Sequence, residues 1–202
     1  MRLGIFGGSF DPVHYGHLLL AESSRQQARL DRVYFVPANI PPHKLGQLRA
    51  DGADRVEMLK LAISGQDTFA YSTCELDRGG ISYTVETLRY FHKTEPAADL
   101  FLLLGADSLH DLPNWKEPAE ICTLALPLVV NREGHTSPDW QLLAPFVSSQ
   151  RLKEIAANGV VMPGMGLSSS QIRQAAAAGS SIRYQTPRAV ELYLITHKLY
   201  GA

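Results

Sequence analysis

Short, continuously apolar segments alternate with longer amphipathic segments along most of this chain, and this alternation limits its fold more than any other feature. We expect strands at 3–6, 32–37, 69–73, 100–104, 126–130 and 160–162. Strands that are apolar at every position are buried on both faces, which is typical of parallel sheets covered by helices. The sequence therefore predicts a doubly wound, Rossmann-like α/β fold with a mostly parallel sheet and helices on both faces.

Helices are predicted where apolar residues recur at intervals of three and four. These segments are 15–30, 54–64, 82–93, 170–178 and 186–199. In the last of them, Thr186 and Pro187 are a favourable cap and first residue. With 202 residues the chain can bury a substantial core, and we expect a single domain over 1–202.

The composition excludes several classes of partner. Apolar residues make up 45% of the chain, charged residues 19%, and the net charge is -1, so nothing draws the chain to nucleic acid or to a membrane. Local geometry must therefore supply any binding of a phosphorylated ligand. Cys74 and Cys122 are too few for a disulfide framework, and we expect both to be reduced and buried. No apolar run reaches the length of a signal peptide or a membrane span, so a cytoplasmic location is expected.

The segment Gly7-Gly8-Ser9-Phe10-Asp11-Pro12-Val13-His14-Tyr15-Gly16-His17 joins the first predicted strand to the first predicted helix. Free N–H groups and the helix dipole attract phosphate to such a junction. His14 and His17 share a helix face and can donate to oxygens whose charge grows in a transition state. For one histidine alone a surface role is the better interpretation, but the combination favours a phosphate site. The segment contains neither a dinucleotide fingerprint nor a P-loop.

Residues 8–17 resemble the GxFxPxHxGH signature of the nucleotidyltransferase superfamily, whose HxGH element is shared with class I aminoacyl-tRNA synthetases. The resemblance implies direct in-line attack on the α-phosphate of a nucleoside triphosphate, without a covalent enzyme intermediate. The protein then contributes positioning and charge stabilisation.

The second motif is Leu167-Ser168-Ser169-Ser170-Gln171-Ile172-Arg173. Ser168 or Ser169 can cap a helix, and Arg173 can donate two parallel hydrogen bonds to phosphate oxygens. Alone, the motif is better explained as an ordinary cap with a solvated arginine. Together with the first motif it resembles the family's SSTxIR signature, with Ser170 in place of threonine. The hydroxyl is retained, so we expect little change in chemistry.

Further blocks resemble those of the bacterial nicotinate-nucleotide adenylyltransferases, and their order and spacing carry the specificity. They are 41–44, 75–84, 105–108 with Trp115, 131–132 and 199–200. The resemblance implies an enzyme of NAD biosynthesis. Such an enzyme transfers the adenylyl group of ATP to nicotinate mononucleotide and releases nicotinate adenine dinucleotide and pyrophosphate.

The expected site divides into three groups of residues. The expected catalytic residues are His14, His17, Lys44 and Arg173, because they neutralise phosphate charge. We expect ATP to contact Gly8, Ser9, Phe10, His14, His17, Gly105, Asp107, Ser168, Ser169 and Arg173. The resemblance implies an acceptor nucleotide at Asn39, Lys44, Tyr83, Thr84, Trp115 and Arg132.

Each of these residues also has an ordinary structural interpretation. Lys44 and Arg132 are then surface charges, Asp107 caps a turn, and Tyr83 and Trp115 pack in the core. The acceptor's 5′-phosphate is already ionised near neutral pH, since its second pKa is about 6, and no general base is assigned. Magnesium is implied, held mainly by ATP phosphates and water, because it often lacks a complete protein cage.

Other functions remain open at this point. The acceptor could instead be nicotinamide mononucleotide or phosphopantetheine, the transferred group could be cytidylyl, or the chain could sense a nucleotide without turnover. A fragment that binds tRNA is disfavoured by the neutral charge, whereas a homo-oligomer is compatible with the sequence. The interpretation requires residues 8–17 and 168–173 to meet at one triphosphate, and it fails if His17 and Arg173 lie on opposite sides of the molecule.

Overall fold

The computed structural model describes residues 1–42, 49–131 and 138–201, together with the backbone of residue 132. Within these residues the strands are β1 (Arg2–Gly8), β2 (Arg32–Pro37), β3 (Phe69–Tyr71), β4 (Asp99–Gly105), β5 (Leu126–Arg132) and β6 (Val160–Met162). They form one sheet in the order β3-β2-β1-β4-β5-β6. All six predicted strands are present, and the predicted Rossmann-like α/β class is confirmed.

The register of the sheet places its reversal of strand order beside β1. Arg2 to Ile5 pair in parallel with Asp99 to Leu102 of β4, and β4 continues in parallel to β5 and β5 to β6. In sheets of this order, ligands bind beyond the carboxyl ends of the strands where the order reverses. The residues that follow β1 are therefore expected to take part in a site.

The helices of the described residues are α1 (Tyr15–Gln27), α2 (Gly52–Ile63), α3 (Cys74–Arg78), α4 (Thr84–Thr94), α5 (Ala106–Asp111), α6 (Pro118–Leu124), α7 (Ser149–Ala157), α8 (Ser169–Ala177) and α9 (Arg188–Thr196). Single turns of 3-10 helix follow at Leu112–Asn114, Trp140–Leu143 and Leu199–Gly201. The five predicted helices are confirmed. Sequence reasoning missed α3, α5, α6 and α7, which have five to nine residues each and are too short for a clear periodic signal.

Helix ends differ from the prediction where local bonds decide them. Helix α1 ends before residue 30 because Arg29 has a positive φ of 50° and the Leu30 N–H bonds back to the Arg25 carbonyl, which is a C-terminal cap. Helix α2 begins early because the Asp51 carboxylate accepts from the Asp54 N–H at 2.8 Å.

The chain divides into two compact units. The first unit consists of residues 1–7, 20–34 and 83–164, and the second unit of residues 8–19, 35–82 and 165–202. The single domain expected over 1–202 stays a prediction.

Both cysteines are buried and free, as predicted, and burial raises the pKa of the Cys122 thiol to about 11. No helix of the described residues has the length and apolar character that crossing a bilayer requires.

The first unit protects the edge strand of the sheet with one side chain. The Gln27 amide donates to the Val161 carbonyl at 2.7 Å and accepts from the Val161 N–H at 3.1 Å. This pair of bonds satisfies the backbone N–H and C=O of Val161 as a neighbouring strand would, at an exposed position of the edge strand β6. In the second unit, Ile172, Ala176, Ile182 and Leu194 form a buried cluster. That cluster fixes α8 and α9 against each other.

We expect Gly4→Ala to destabilise the protein by about 1–3 kcal/mol, the usual cost of overpacking a core. A Cβ at Gly4 would lie 2.8 Å from Leu30 Cδ1, 3.0 Å from Leu103 Cδ1 and 3.2 Å from Val33 Cγ2, and all three side chains are buried. Gly7→Ala is the matched control in the same strand, because its Cβ would meet nothing within 4 Å. Urea unfolding measures both changes, and equal stabilities for the two variants would contradict this account of the packing.

Candidate active site

The loop that leaves β1 gives most of its carbonyl oxygens to hydrogen bonds within the second unit. Five of them are bonded: Gly8 O by Ala38 N–H (2.8 Å), Ser9 O by Arg55 (3.0 Å), Asp11 O by Arg173 (2.7 Å), Pro12 O by Ser169 Oγ (2.9 Å) and Val13 O by Thr186 Oγ1 (2.8 Å). A carbonyl oxygen carries partial negative charge and opposes an approaching anion. Because donors of the unit occupy these oxygens, the loop is suited to face a phosphate.

Phe10 determines the path of this loop. Its backbone has a φ of 47°. This conformation costs a non-glycine residue energy, and it persists only where packing around the residue offsets that cost. Its ring is fully buried, with centroids 5.6 Å from Phe35 and 5.1 Å from His17. A Cβ at Gly8 would lie 3.0 Å from the Phe10 ring, which explains the glycine at that position.

His17 is held by the residue that precedes α1. Its Nδ1 accepts from the backbone N–H of His14 at 3.2 Å, as the glutamate of a capping box does from the third helical position. A ring nitrogen that accepts carries no proton, so this bond selects the tautomer whose proton is on Nε2.

The His14 ring lies against that of His17, with centroids 3.8 Å apart and planes 26° from parallel. A Cβ at Gly16 would lie 3.0 Å from the His14 ring, so the glycine of the HxGH element makes room for the imidazole. The prediction that the two rings share a face is confirmed.

The second motif lies against the loop of the first. Ser168 caps α8 by accepting from the Gln171 N–H at 3.2 Å, so it is the cap, and the Ser169 hydroxyl instead bonds the loop. The Arg173 guanidinium donates to the Asp11 carbonyl and, at 3.3 Å, to Ser170 Oγ. Thus the segments 8–17 and 168–173 are in contact within one structural unit, while their binding of a single triphosphate stays a prediction. The serine in place of threonine supplies the hydroxyl that Arg173 contacts.

Sequence reasoning missed Asp11, which the structure places beneath the loop. The carboxylate is buried and accepts from the N–H groups of Arg49 and Ala50 at 2.9 and 3.1 Å and from the Tyr200 hydroxyl at 2.6 Å. Asp11 stands inside the first motif and Tyr200 inside the last block, but nothing in the sequence indicated that they meet.

Arg55 is a second residue that the sequence did not reveal. It is 1% exposed and donates to the carbonyl oxygens of Ser9, Ala38 and Asp51 at 3.0, 2.7 and 3.2 Å. Burial lowers the pKa of the Arg55 guanidinium, and the charge of Asp11 opposes that shift. The only available signal was a charged residue beside the apolar face of α2.

One prediction about Thr186 is wrong. The residue does not cap the last helix, because its buried hydroxyl donates to the Val13 carbonyl and Pro187 takes the cap position of α9. Thr186 thus belongs to the support of the loop.

The residues expected at the acceptor nucleotide are distributed over the chain. Asn39, in the second unit, donates from Nδ2 to the Gly80 carbonyl at 2.9 Å and from its backbone to Ser82 Oγ at 2.8 Å. Lys44 lies outside the described residues, as does the side chain of Arg132. The prediction that Arg132 follows β5 is wrong, because the strand continues through that residue.

The remaining predicted site residues belong to the first unit. Gly105 caps α5 at the end of β4, and Asp107 is exposed in the first turn of that helix. Tyr83 and Thr84 open α4, as expected. The Trp115 indole N–H is buried and has no hydrogen-bond partner within the described part of the chain, which leaves a donor for a ligand.

Comparisons with known proteins agree on one kind of enzyme. The family described as "Cytidylyltransferase-like" matches residues 5–175. A protein of Thermomicrobium roseum named "Probable nicotinate-nucleotide adenylyltransferase" is 44% identical over 98% of this chain and 91% of its own length. A protein of the same name from Thermus thermophilus is 42% identical over 99% of this chain and 100% of its own.

A solved structure has the same fold. It is described as "Plasmodium falciparum nicotinic acid mononucleotide adenylyltransferase complexed with NaAD" and superposes with a TM-score of 0.74 over 98% of this chain and 97% of that one, at 18% sequence identity.

We expect Arg55→Lys to destabilise the protein by about 2–4 kcal/mol, because one ammonium cannot reproduce three bonds of a planar guanidinium and leaves buried carbonyls unsatisfied. Arg32→Lys is the control, since Arg32 is exposed at the start of β2. Surface changes of this kind cost within about 0.5 kcal/mol. Equal urea midpoints for the two variants would remove Arg55 from the support of the loop.

Proposed function

Because this chain belongs to the nicotinate-nucleotide adenylyltransferases of the cytidylyltransferase-like family, we propose that it transfers the adenylyl group of ATP to nicotinate mononucleotide. The products are nicotinate adenine dinucleotide and pyrophosphate. The observation that carries the proposal is the contact between the loop before α1 and the start of α8. Through that contact the second unit holds two imidazoles, a guanidinium and two helix N-termini together.

These groups suit a triphosphate. The positive ends of the helix dipoles at the starts of α1 and α8 attract anions, and the backbone of Gly8, Ser9 and Phe10 is proposed to contact the phosphates. A guanidinium has five N–H donors, so Arg173 can bind Asp11 and Ser170 and still donate to a phosphate. The assignment of Ser168 and Ser169 to the ATP site rests on the same helix start.

The reaction needs positioned charge more than proton transfer. An oxygen of the acceptor's phosphate forms a bond to the α-phosphorus, and the bond from that phosphorus to the bridging oxygen breaks, so that pyrophosphate leaves with the electron pair. The attacking phosphate is already ionised, because its second pKa is about 6. We propose that His14, His17, Lys44 and Arg173 stabilise the charge that develops on the phosphate oxygens. No covalent enzyme intermediate is proposed.

The proposed roles of the other residues follow the sequence prediction. Gly105 and Asp107 are assigned to the adenosine, where an exposed carboxylate is suited to ribose hydroxyls. Asn39, Lys44, Tyr83, Thr84, Trp115 and Arg132 are assigned to the acceptor nucleotide. The buried indole N–H of Trp115 supports its assignment, because an unsatisfied donor is stabilised by an acceptor of the ligand.

The types of side chain among the described residues bear on whether the protein itself could bind a magnesium ion. These residues contain no group of three or more metal-ligating side chains, and the donors at the loop and α8 are suited to anions. The buried Asp11 carboxylate already accepts from two backbone N–H groups and the Tyr200 hydroxyl. A resident cation site does not fit this part of the chain, so magnesium is proposed only as the ion that ATP brings on its phosphates. No step depends on a protein-held ion.

We expect pyrophosphate release from ATP to be much faster with nicotinate mononucleotide than with nicotinamide mononucleotide, phosphopantetheine or no acceptor. CTP in place of ATP tests cytidylyl transfer in the same assay. Faster release with another acceptor would assign a different member of the superfamily. ATP binding without release for any acceptor would favour a nucleotide sensor.

We expect His17→Ala to lower turnover by about 100-fold or more, the usual loss when one donor to a developing charge is removed. His17→Gln is the matched variant, because glutamine at the third helical position can bond the His14 N–H but offers no imidazole. Its melting temperature should match that of the unmodified protein, while its turnover stays low. Near-normal pyrophosphate release from folded His17→Gln would reduce His17 to a helix cap.

A further inference from the structure

We propose that Tyr200, at the end of the chain, is a positioning residue that acts through Asp11 on Arg173 and on the phosphate-facing loop. The proposal rests on the function proposed above and extends it to a residue 189 positions from the loop. Tyr200 does not contact the substrate in this proposal. It determines where Asp11 lies, and Asp11 in turn holds the guanidinium.

Two oxygens of Asp11 connect the C-terminus with the site. Its carboxylate Oδ1 accepts from the Tyr200 hydroxyl at 2.6 Å, and its backbone carbonyl accepts from Arg173 Nη1 at 2.7 Å. The other carboxylate oxygen lies 3.8 Å from the same Nη1. Because Asp11 is 1% exposed, water cannot readily replace the hydroxyl. Loss of that bond therefore shifts the carboxylate and the carbonyl together.

The conformation of the C-terminal turn positions this hydroxyl. Tyr200 and Gly201 have φ values of 61° and 87°, and a tyrosine stays in this region only where its surroundings hold it. Leu199 and Tyr200 pack on the cluster that contains Ile172, on α8. The turn thus braces the helix that carries Arg173 and also bonds the loop that Arg173 contacts.

The titration of the hydroxyl agrees with this role. Burial, the hydrogen bond to Asp11 and the Asp11 charge raise the pKa of Tyr200, while Arg173 and Arg55 oppose the shift. The hydroxyl is therefore protonated, and can donate, throughout the range in which enzymes are assayed.

Tyr200→Phe removes one oxygen and keeps the ring that packs on α8. We expect kcat to fall between about tenfold and a hundredfold, since misplacing a catalytic group by about 1 Å can cost that much. The KM for nicotinate mononucleotide should stay within about twofold, because the acceptor site is not involved. Tyr184→Phe is the matched control: Tyr184 is 84% exposed in the same unit and its loss should change neither constant.

A double-mutant comparison separates positioning from general stability. If Tyr200 acts through Arg173, then Tyr200→Phe should lower kcat by less than about threefold in an Arg173→Ala background, because coupled residues are not additive. An equal loss in both backgrounds overturns the proposal, as does a folded Tyr200→Phe enzyme with unchanged kcat. If Tyr200→Phe does not fold, Asp11→Ala tests the same link by removing the acceptor of the hydroxyl, and a folded Asp11→Ala enzyme with unchanged kcat overturns it.

A titration of ATP distinguishes failure of this proposal from failure of the proposed function. If the unmodified protein binds ATP but adenylylates no acceptor, the proposed reaction fails. The positioning role is then decided by affinity: ATP binding about tenfold weaker in Tyr200→Phe than in Tyr184→Phe supports it, and equal binding overturns it. No ATP binding by the unmodified protein overturns both.

Discussion

The hydrogen bonding of the loop between β1 and α1 is the constraint on which the candidate site depends. A loop of backbone can face a polyphosphate only if its carbonyl oxygens are satisfied elsewhere, because buried acceptors need donors and exposed ones oppose an anion. Here the donors come from positions scattered along the second unit: Ala38, Arg55, Ser169, Arg173 and Thr186. Much of that unit can therefore be understood as support for six consecutive residues.

Two buried charged groups, Arg55 and Asp11, also hold this loop, and their burial needs compensation. Taking a guanidinium or a carboxylate out of water costs several kcal/mol, and each is retained only with dense hydrogen bonding. Arg55 satisfies three carbonyls, and Asp11 accepts three donors through its carboxylate and a fourth through its carbonyl. Such fully connected groups are rigid. A rigid loop presents its donors without reorganisation when charge develops on a ligand, and that is the main source of electrostatic catalysis.

The sequence predicted the features that are local or periodic. The strands, the long helices and the helix starts near Tyr15 and Ser170 follow from apolar patterns, turn residues and caps over a few positions. The contacts of Arg55, Thr186 and Tyr200 could not be predicted, because each joins segments far apart in the chain and depends on where a side chain points in the folded unit. Thr186 shows the limit well. Its position before a proline indicated a helix cap. In the structure its hydroxyl donates to a buried carbonyl of the loop, and Pro187 takes the cap position.

His17 and Arg173 share one arrangement, which bears on how such a site functions. Each side chain is held at one end by the backbone of the loop: His17 through Nδ1 on the His14 N–H, and Arg173 through Nη1 on the Asp11 carbonyl. The anchoring bond uses one end of each side chain, and the guanidinium carries further N–H groups at its other end. A flexible side chain would lose rotamer entropy each time it met a ligand, but these two have lost it on folding. The loop therefore also orients the imidazole and the guanidinium, so any change that moves its backbone moves both side chains as well.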